Sequence, residues 1–231
     1  MIEDPPLLTI KSRSIKIAEG DVQALATFPT SFVADAMGGK GALPFEIKPL
    51  SSNVLPQHFC GPALTVDPGP ADVLAVIAAL SEIEPGDVLV IATGSHKDCA
   101  AIGDRVIGMA KNAGAVAVVT DGLVRDIEGI EKVGLPVYCS GVSPNSPFNN
   151  GPGAIGTGIV IGDRSITRDD VMVADRDGVV VVPGPQLDAV IKRCQHISEV
   201  ERELDSEVEQ GLCVPTGMQE LLAAGEKISR I

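Results

Sequence analysis

The chain predicts an α/β fold, and three observations carry that prediction. Apolar helical and apolar strand segments alternate between Ala71 and Tyr138, the pattern of helices packed on a sheet. Turn residues separate them, as in Glu84-Pro-Gly-Asp87 ahead of an apolar run. The length of 231 residues with 45% hydrophobic content is enough for one sizeable core, with a helical arm added at the carboxyl end.

In chain order, Thr30 or Ser31 offers a cap for a short helix that Gly38, Gly39 and Gly41 stop. A strand is expected over 61–66, a helix over 71–80, and a strand over 88–92 that enters the Thr93-Gly94-Ser95 loop. A second helix is expected over 103–111, and Asn112-Ala-Gly114 returns the chain to a strand ending near Thr120. Glycine and proline crowd residues 141–158, predicting a long loop of the kind kept for function or assembly. Short strands follow at 159–161, 171–174 and 179–182, the last two joined at Asp177-Gly178 as a hairpin. Residues 185–222 are mostly helical in pattern, so a core domain is expected over 1–184 and a helical extension over 185–231.

Charge excludes whole classes of partner. A formal charge of −13 and a pI near 4.6 repel phosphate backbones and anionic lipid, so neither nucleic acid nor membrane is an expected partner. The five cysteines are odd in number, scattered, and form no C-x-x-C pair, which fits reduced thiols in a cytoplasmic protein. Met1-Ile-Glu-Asp-Pro-Pro lacks the basic-then-apolar pattern of an export signal.

The most informative stretch is the apolar run ending in Thr120-Asp121-Gly122-Leu-Val-Arg125-Asp126. Charges at strand ends in open α/β sheets usually face a ligand crevice. Asp104 opens the preceding helix, with twenty residues between it and Arg125. A helix of about ten residues at 1.5 Å per residue runs back roughly the length of a five-residue strand, so Asp104 is expected at the same rim. Hard carboxylate oxygens there suit Mg²⁺ or Mn²⁺, which keep several waters and take remaining ligands from substrate. A guanidinium suits bidentate capture of a carboxylate. Together they describe a site for a 2-oxo acid.

Other motifs carry less. Gly151-Pro-Gly153-Ala-Ile-Gly156 matches the dinucleotide fingerprint in letters, but a polar loop precedes it and a strand is expected after it. His196 and Glu199 share a helical face without the second histidine of a zinc site. Lys97 and Lys111 lie in segments too polar to depress an amine for Schiff-base chemistry.

Thr30-Ser31-x-x-x-Asp35-Ala, Gly61-Pro-Ala-x-Thr-Val66, Pro85-Gly-Asp-Val-Leu-Val90, Gly103-Asp104, Val119-Thr-Asp-Gly-x-Val-Arg-Asp126, Leu135-Pro-Val137 and Val173-Ala-Asp-x-Asp-Gly-Val-Val-Val-Val-Pro183 resemble the RraA-like family. The resemblance is to its branch of class II 4-hydroxy-4-methyl-2-oxoglutarate / 4-carboxy-4-hydroxy-2-oxoadipate aldolases. It implies a layered β/β/α swivelling-domain fold assembled as homotrimers or homohexamers, with the carboxyl-terminal extension packed on a neighbouring subunit. It also implies metal-dependent retro-aldol cleavage giving pyruvate, with side decarboxylation of oxaloacetate. In that resemblance Asp126 is the direct metal ligand, Arg125 binds the pyruvyl carboxylate, Asp104 holds metal-bound water, and amides near Gly103 face the substrate. Glu201, ten residues before Gly211, matches a glutamate that enters the neighbouring site. Asp72-Val73-Leu74, Ala92-Thr93 and Arg168-Asp169-Asp170 depart from the family pattern. These departures leave the metal and pyruvyl half intact and bear on the rest of the substrate. The alternative implied by the family is a non-catalytic regulator that binds a ribonuclease.

Overall fold

The computed structural model describes residues 6–51, 53–224 and 228. The chain divides into two compact units, Met1–Cys194 and Gln195–Ile231. The first opens with β1 (Leu8–Ile10), α1 (Glu19–Leu25), α2 (Thr30–Ala36) and β2 (Lys48–Pro49). Then come β3 (Phe59–Asp67), α3 (Leu74–Ala79), β4 (Val88–Ile91), β5 (Ala100–Ile102) and α4 (Asp104–Ala113). They are followed by β6 (Ala117–Thr120), β7 (Leu123–Val124), α5 (Ile127–Val133) and β8 (Val137–Cys139). The unit closes with β9 (Gly153–Ile155), β10 (Ile159–Ile161), β11 (Arg164–Ile166), β12 (Val171–Asp175) and β13 (Gly178–Val182). The helix α6 (Leu187–Glu209) begins in this unit and ends in the second, which also holds α7 (Thr216–Ala224).

Strands β3, β4, β6 and β8 pair in parallel, with Leu64 opposite Leu89, Leu89 opposite Val118, and Val118 opposite Val137. Parallel neighbours require crossovers, and α3, α4 and α5 supply them. Every residue of β4 is fully buried, as expected of a strand covered on both faces. Successive side chains point to opposite faces, so the sheet feeds two cores. Leu64, Val66, Leu89, Ile91 and Val118 pack with Val76 of α3, Ile107 of α4 and Ile130 of α5. Ala63, Val88, Val90, Ala117 and Val119 pack instead with Ile161, Ile166, Met172 and Val181 of the late hairpins.

The strand β3 joins the two β layers. Its second half pairs with β4, while Phe59–Pro62 pairs antiparallel with β12, which pairs in turn with β13. The result is a layered β/β/α arrangement with a long carboxyl-terminal helix, the architecture the sequence led us to expect.

Several local expectations change. Neither Thr30 nor Ser31 caps α2: the cap position is Pro29, and the Asp175 carboxylate accepts from Thr30 N at 2.8 Å and Thr30 Oγ1 at 2.6 Å. A side chain from β12 thus satisfies the first free amide of α2, and the Thr30 hydroxyl donates to that carboxylate instead of capping the helix. The helix expected from Ala71 starts at Leu74, because Ala71 is left-handed at φ 58° and Asp72 accepts from Leu74 N at 2.8 Å. The β12–β13 turn is Arg176-Asp177, since Asp175 still pairs with Gly178. The expected loop over 141–158 contains β9, which pairs with both β1 and β3. The fingerprint-like glycine run therefore enters an interior strand of the sheet, between β1 and β3.

Candidate active site

The site is set by a short pairing that the sequence did not announce. Strand β5 runs parallel to β7, with Ala100 opposite Leu123 and Ile102 opposite Val124. Arg125 N donates to Ile102 O at 3.1 Å. The ends of the two strands therefore hold two acidic segments side by side: Gly103-Asp104, opening α4, and Arg125-Asp126, opening α5. Asp126 sits at φ 63°, ψ 49°, the left-handed region that aspartate tolerates better than most residues, at a cost of about 1 kcal/mol.

Two glycines permit this proximity. A Cβ on Gly103 would lie 2.6 Å from Asp126 Oδ2 and 3.1 Å from Arg125 Cγ. A Cβ on Gly129, inside α5, would lie 2.2 Å from Asp104 Oδ2 and 2.6 Å from Asp104 Cβ. Gly129 was not anticipated; its signal is a glycine within a helical stretch, which usually has a packing reason.

Asp104, Arg125 and Asp126 form a ridge between two cavities, of about 640 and 670 Å³, and line both. Gly103 lines the first, at the amino-terminal end of α4, where helix amides lack intrahelical partners. Arg125 Nη1 donates to Ser146 Oγ, and Nε lies 3.4 Å from Asp126 Oδ2 without a hydrogen bond. Its side chain remains 34% exposed, leaving donors for a further anion.

Ser146 is the second unanticipated member, and its loop is firmly tied. Ala100 N donates to Asn145 O at 3.0 Å and Asn145 Nδ2 to Asp98 O at 2.9 Å. Farther on, the Asp72 carboxylate accepts from Asn150 N at 2.7 Å and Gly151 N at 3.1 Å. Burial works to raise the Asp72 pKa, but the backbone amides of Asn150, Leu74 and Gly151 outweigh it and hold the carboxyl below its ordinary range.

Asp121, by contrast, does not face either cavity. It is buried and accepts from Thr93 N at 2.6 Å, Thr93 Oγ1 at 2.9 Å and Ser95 N at 2.7 Å. The first acid of the strand-end cluster thus fixes a loop. Asp121→Ala would leave these buried donors unpaired and cost roughly 3 kcal/mol or more. Thermal unfolding should fall by about 6–12 °C; a fall within 1–2 °C would refute the assignment.

Lys97 Nζ bonds to Asp121 O at 3.1 Å and to Ser140 Oγ, and it lines neither cavity. Glu201 lies on the part of α6 that belongs to the second unit and is not among the residues lining either cavity. Among the described residues no group of three or more His, Cys, Asp or Glu side chains converges as a metal cage. The ridge offers two carboxylates, Asp104 and Asp126, which fit Mg²⁺ or Mn²⁺ retaining waters rather than a closed zinc site.

The comparisons with known proteins bear on the family and the fold. Residues 30–181 match the family model described as RraA-like: Aldolase/RraA. A Halalkalibacterium halodurans protein provisionally named 4-hydroxy-4-methyl-2-oxoglutarate aldolase is 37% identical over 169 residues, covering 73% of this chain and 79% of its own. The crystal structure of an uncharacterized protein from Pseudomonas syringae pv. tomato matches with a TM-score of 0.73 at 25% identity, over 86% of this chain and 96% of its own. A solved RNA-processing inhibitor RraA from Thermus shares the fold, with a TM-score of 0.61 at 24% identity over 67% of this chain and 92% of its own. Family match, layered fold and carboxylate–guanidinium ridge converge: this chain belongs to the RraA-like family.

Proposed function

We propose that this protein is a class II pyruvate aldolase, a carbon–carbon lyase that cleaves a 4-hydroxy-2-oxo acid to pyruvate and a second carbonyl compound. The observation that carries this reading is the ridge of Asp104, Arg125 and Asp126 along one cavity. Arg125 binds the C1 carboxylate of the substrate, and its contact with Ser146 sets the plane of the guanidinium. Asp126 would ligate Mg²⁺ or Mn²⁺ and Asp104 would hold metal-bound water; the bound ion would supply Lewis acidity to the 2-oxo group. Amides at Gly103 face the same end. Cleavage breaks the C3–C4 bond, the C4 hydroxyl gives up its proton as C4 becomes a carbonyl, and protonation at C3 completes pyruvate. The same polarisation releases CO₂ from oxaloacetate.

The proton acceptor we assign is Glu201 of a neighbouring copy, acting beside Asp104. Val200, Leu204 and Val208 are exposed one helical turn apart along α6, an apolar stripe that a second copy would cover. The working assembly is accordingly a homotrimer or homohexamer in which residues 185–231 extend onto a neighbour. Among the described residues no helix is long and apolar enough to cross a membrane, and the free cysteines suit a cytoplasmic setting.

The test is pyruvate release from 4-hydroxy-4-methyl-2-oxoglutarate, 4-carboxy-4-hydroxy-2-oxoadipate and oxaloacetate, with Mg²⁺ and after EDTA treatment. Metal-dependent release is the expected result. No pyruvate from any of the three, from folded protein, would move the reading to another 4-hydroxy-2-oxo acid or to a binding role such as ribonuclease regulation.

A further inference from the structure

The cavity beside the ridge is lined by two unlike sets of residues. One is Asp104, Arg125 and Asp126; the other is Val73 and Ile77, one turn apart at α3, and Val106 and Met109, one turn apart on α4. Ile77 and Met109 are 43% and 44% exposed. Single exposed apolar side chains are ordinary, but such residues converging from two helices on one cavity mark a surface for an apolar group. A further cation lines the cavity: Arg105 is exposed and in no ion pair among the described residues, so a contact between it and a carboxylate is a surface pair of small worth.

We infer that this wall selects 4-hydroxy-2-oxo acids that carry an alkyl chain at C4 in place of a second carboxylate, an inference that rests on the aldolase reading. An alkyl group gains on the order of fourfold in affinity per buried methylene. A carboxylate pressed on the same aliphatic surface loses water without gaining a buried partner.

The reaction is best tested in the synthetic direction. Pyruvate loses a C3 proton, C3 bonds to the aldehyde carbon, and the aldehyde oxygen takes up a proton to become the C4 hydroxyl. With pyruvate and Mg²⁺, acetaldehyde, propanal, butanal and glyoxylate are compared as acceptors. Exchange of the pyruvate methyl protons with deuterium, followed by NMR, reports on the charged end alone. Each condensation rate is divided by the exchange rate of the same protein, which removes effects common to both.

The expected result is a rise in kcat/KM of about fourfold per methylene from acetaldehyde to butanal. Met109→Arg, and independently Ile77→Arg, should shift the butanal-to-glyoxylate ratio at least tenfold toward glyoxylate. A flat aldehyde series, or ratios unmoved in both variants, with exchange intact in the wild type, overturns the inference and leaves the aldolase reading standing. Absence of exchange in the wild type overturns both.

Discussion

Arg125→Ala should lower kcat/KM for pyruvate release by about a thousandfold, as expected when one partner of a charged, bidentate contact is removed. The loss should appear chiefly as a raised KM with the smallest 2-oxo acids, because the guanidinium holds a group that does not itself react. Asp126→Asn should abolish metal-dependent turnover while keeping a residue that accepts the left-handed backbone at φ 63°. Asp126→Ala would confound the two, since alanine is strained in that conformation. Both side chains are partly exposed, at 34% and 49%, so thermal unfolding should move by no more than about 0.5 kcal/mol equivalent. Full activity in either variant would remove the ridge from the chemistry. Lost activity accompanied by a large drop in stability would instead assign these residues to the fold.

Gly129→Ala is the second large effect, and its sign runs against helix propensity. Replacing an interior helical glycine by alanine ordinarily stabilises by about 1 kcal/mol. Here the new methyl would stand 2.6 Å from Asp104 Cβ, an atom fixed to the first turn of α4 that no rotamer change can withdraw. Helices α4 and α5 must separate, at roughly 1–3 kcal/mol. Asp104 moves with its helix, so activity should fall at least tenfold, since misplacement on the order of 1 Å is enough for that. At Gly20 in α1 a methyl would meet nothing within 4 Å, and Gly20→Ala is the matched control: unchanged or raised stability, with activity intact. Urea midpoints of the two variants moving in the same direction would contradict the packing argument.

The legible parts of this molecule were those written as local pattern. Val88–Ile91 and Ala117–Thr120 announce buried strands because both faces are apolar, and the meeting of Asp104, Arg125 and Asp126 at one rim was readable because charge ends an apolar run. What stayed hidden depends on partners distant in sequence. Asp121 looks like a surface turn acid until Thr93 and Ser95 are seen to enclose it. Thr30 has the composition of a cap, yet the competing acceptor is Asp175. Ser146 carries no signal of its own, since a serine in a proline-rich loop gains its role from where Asp72 and Asn145 pin that loop. The β5–β7 pair is too short for period-two alternation to show, although it aligns the ridge.

The double membership of β3 has a consequence for biogenesis. Cys60 cannot find its antiparallel partner until Val173 has been synthesised, and Leu8 of the first strand waits for Gly153. An emerging chain that has already made β3, β4 and β6 therefore holds a sheet with one face uncovered, whose aliphatic side chains are those later sealed by Met172 and Val181. Non-local closure of this kind is slow and exposes strand edges while it waits. That face stays uncovered until the last hairpin arrives.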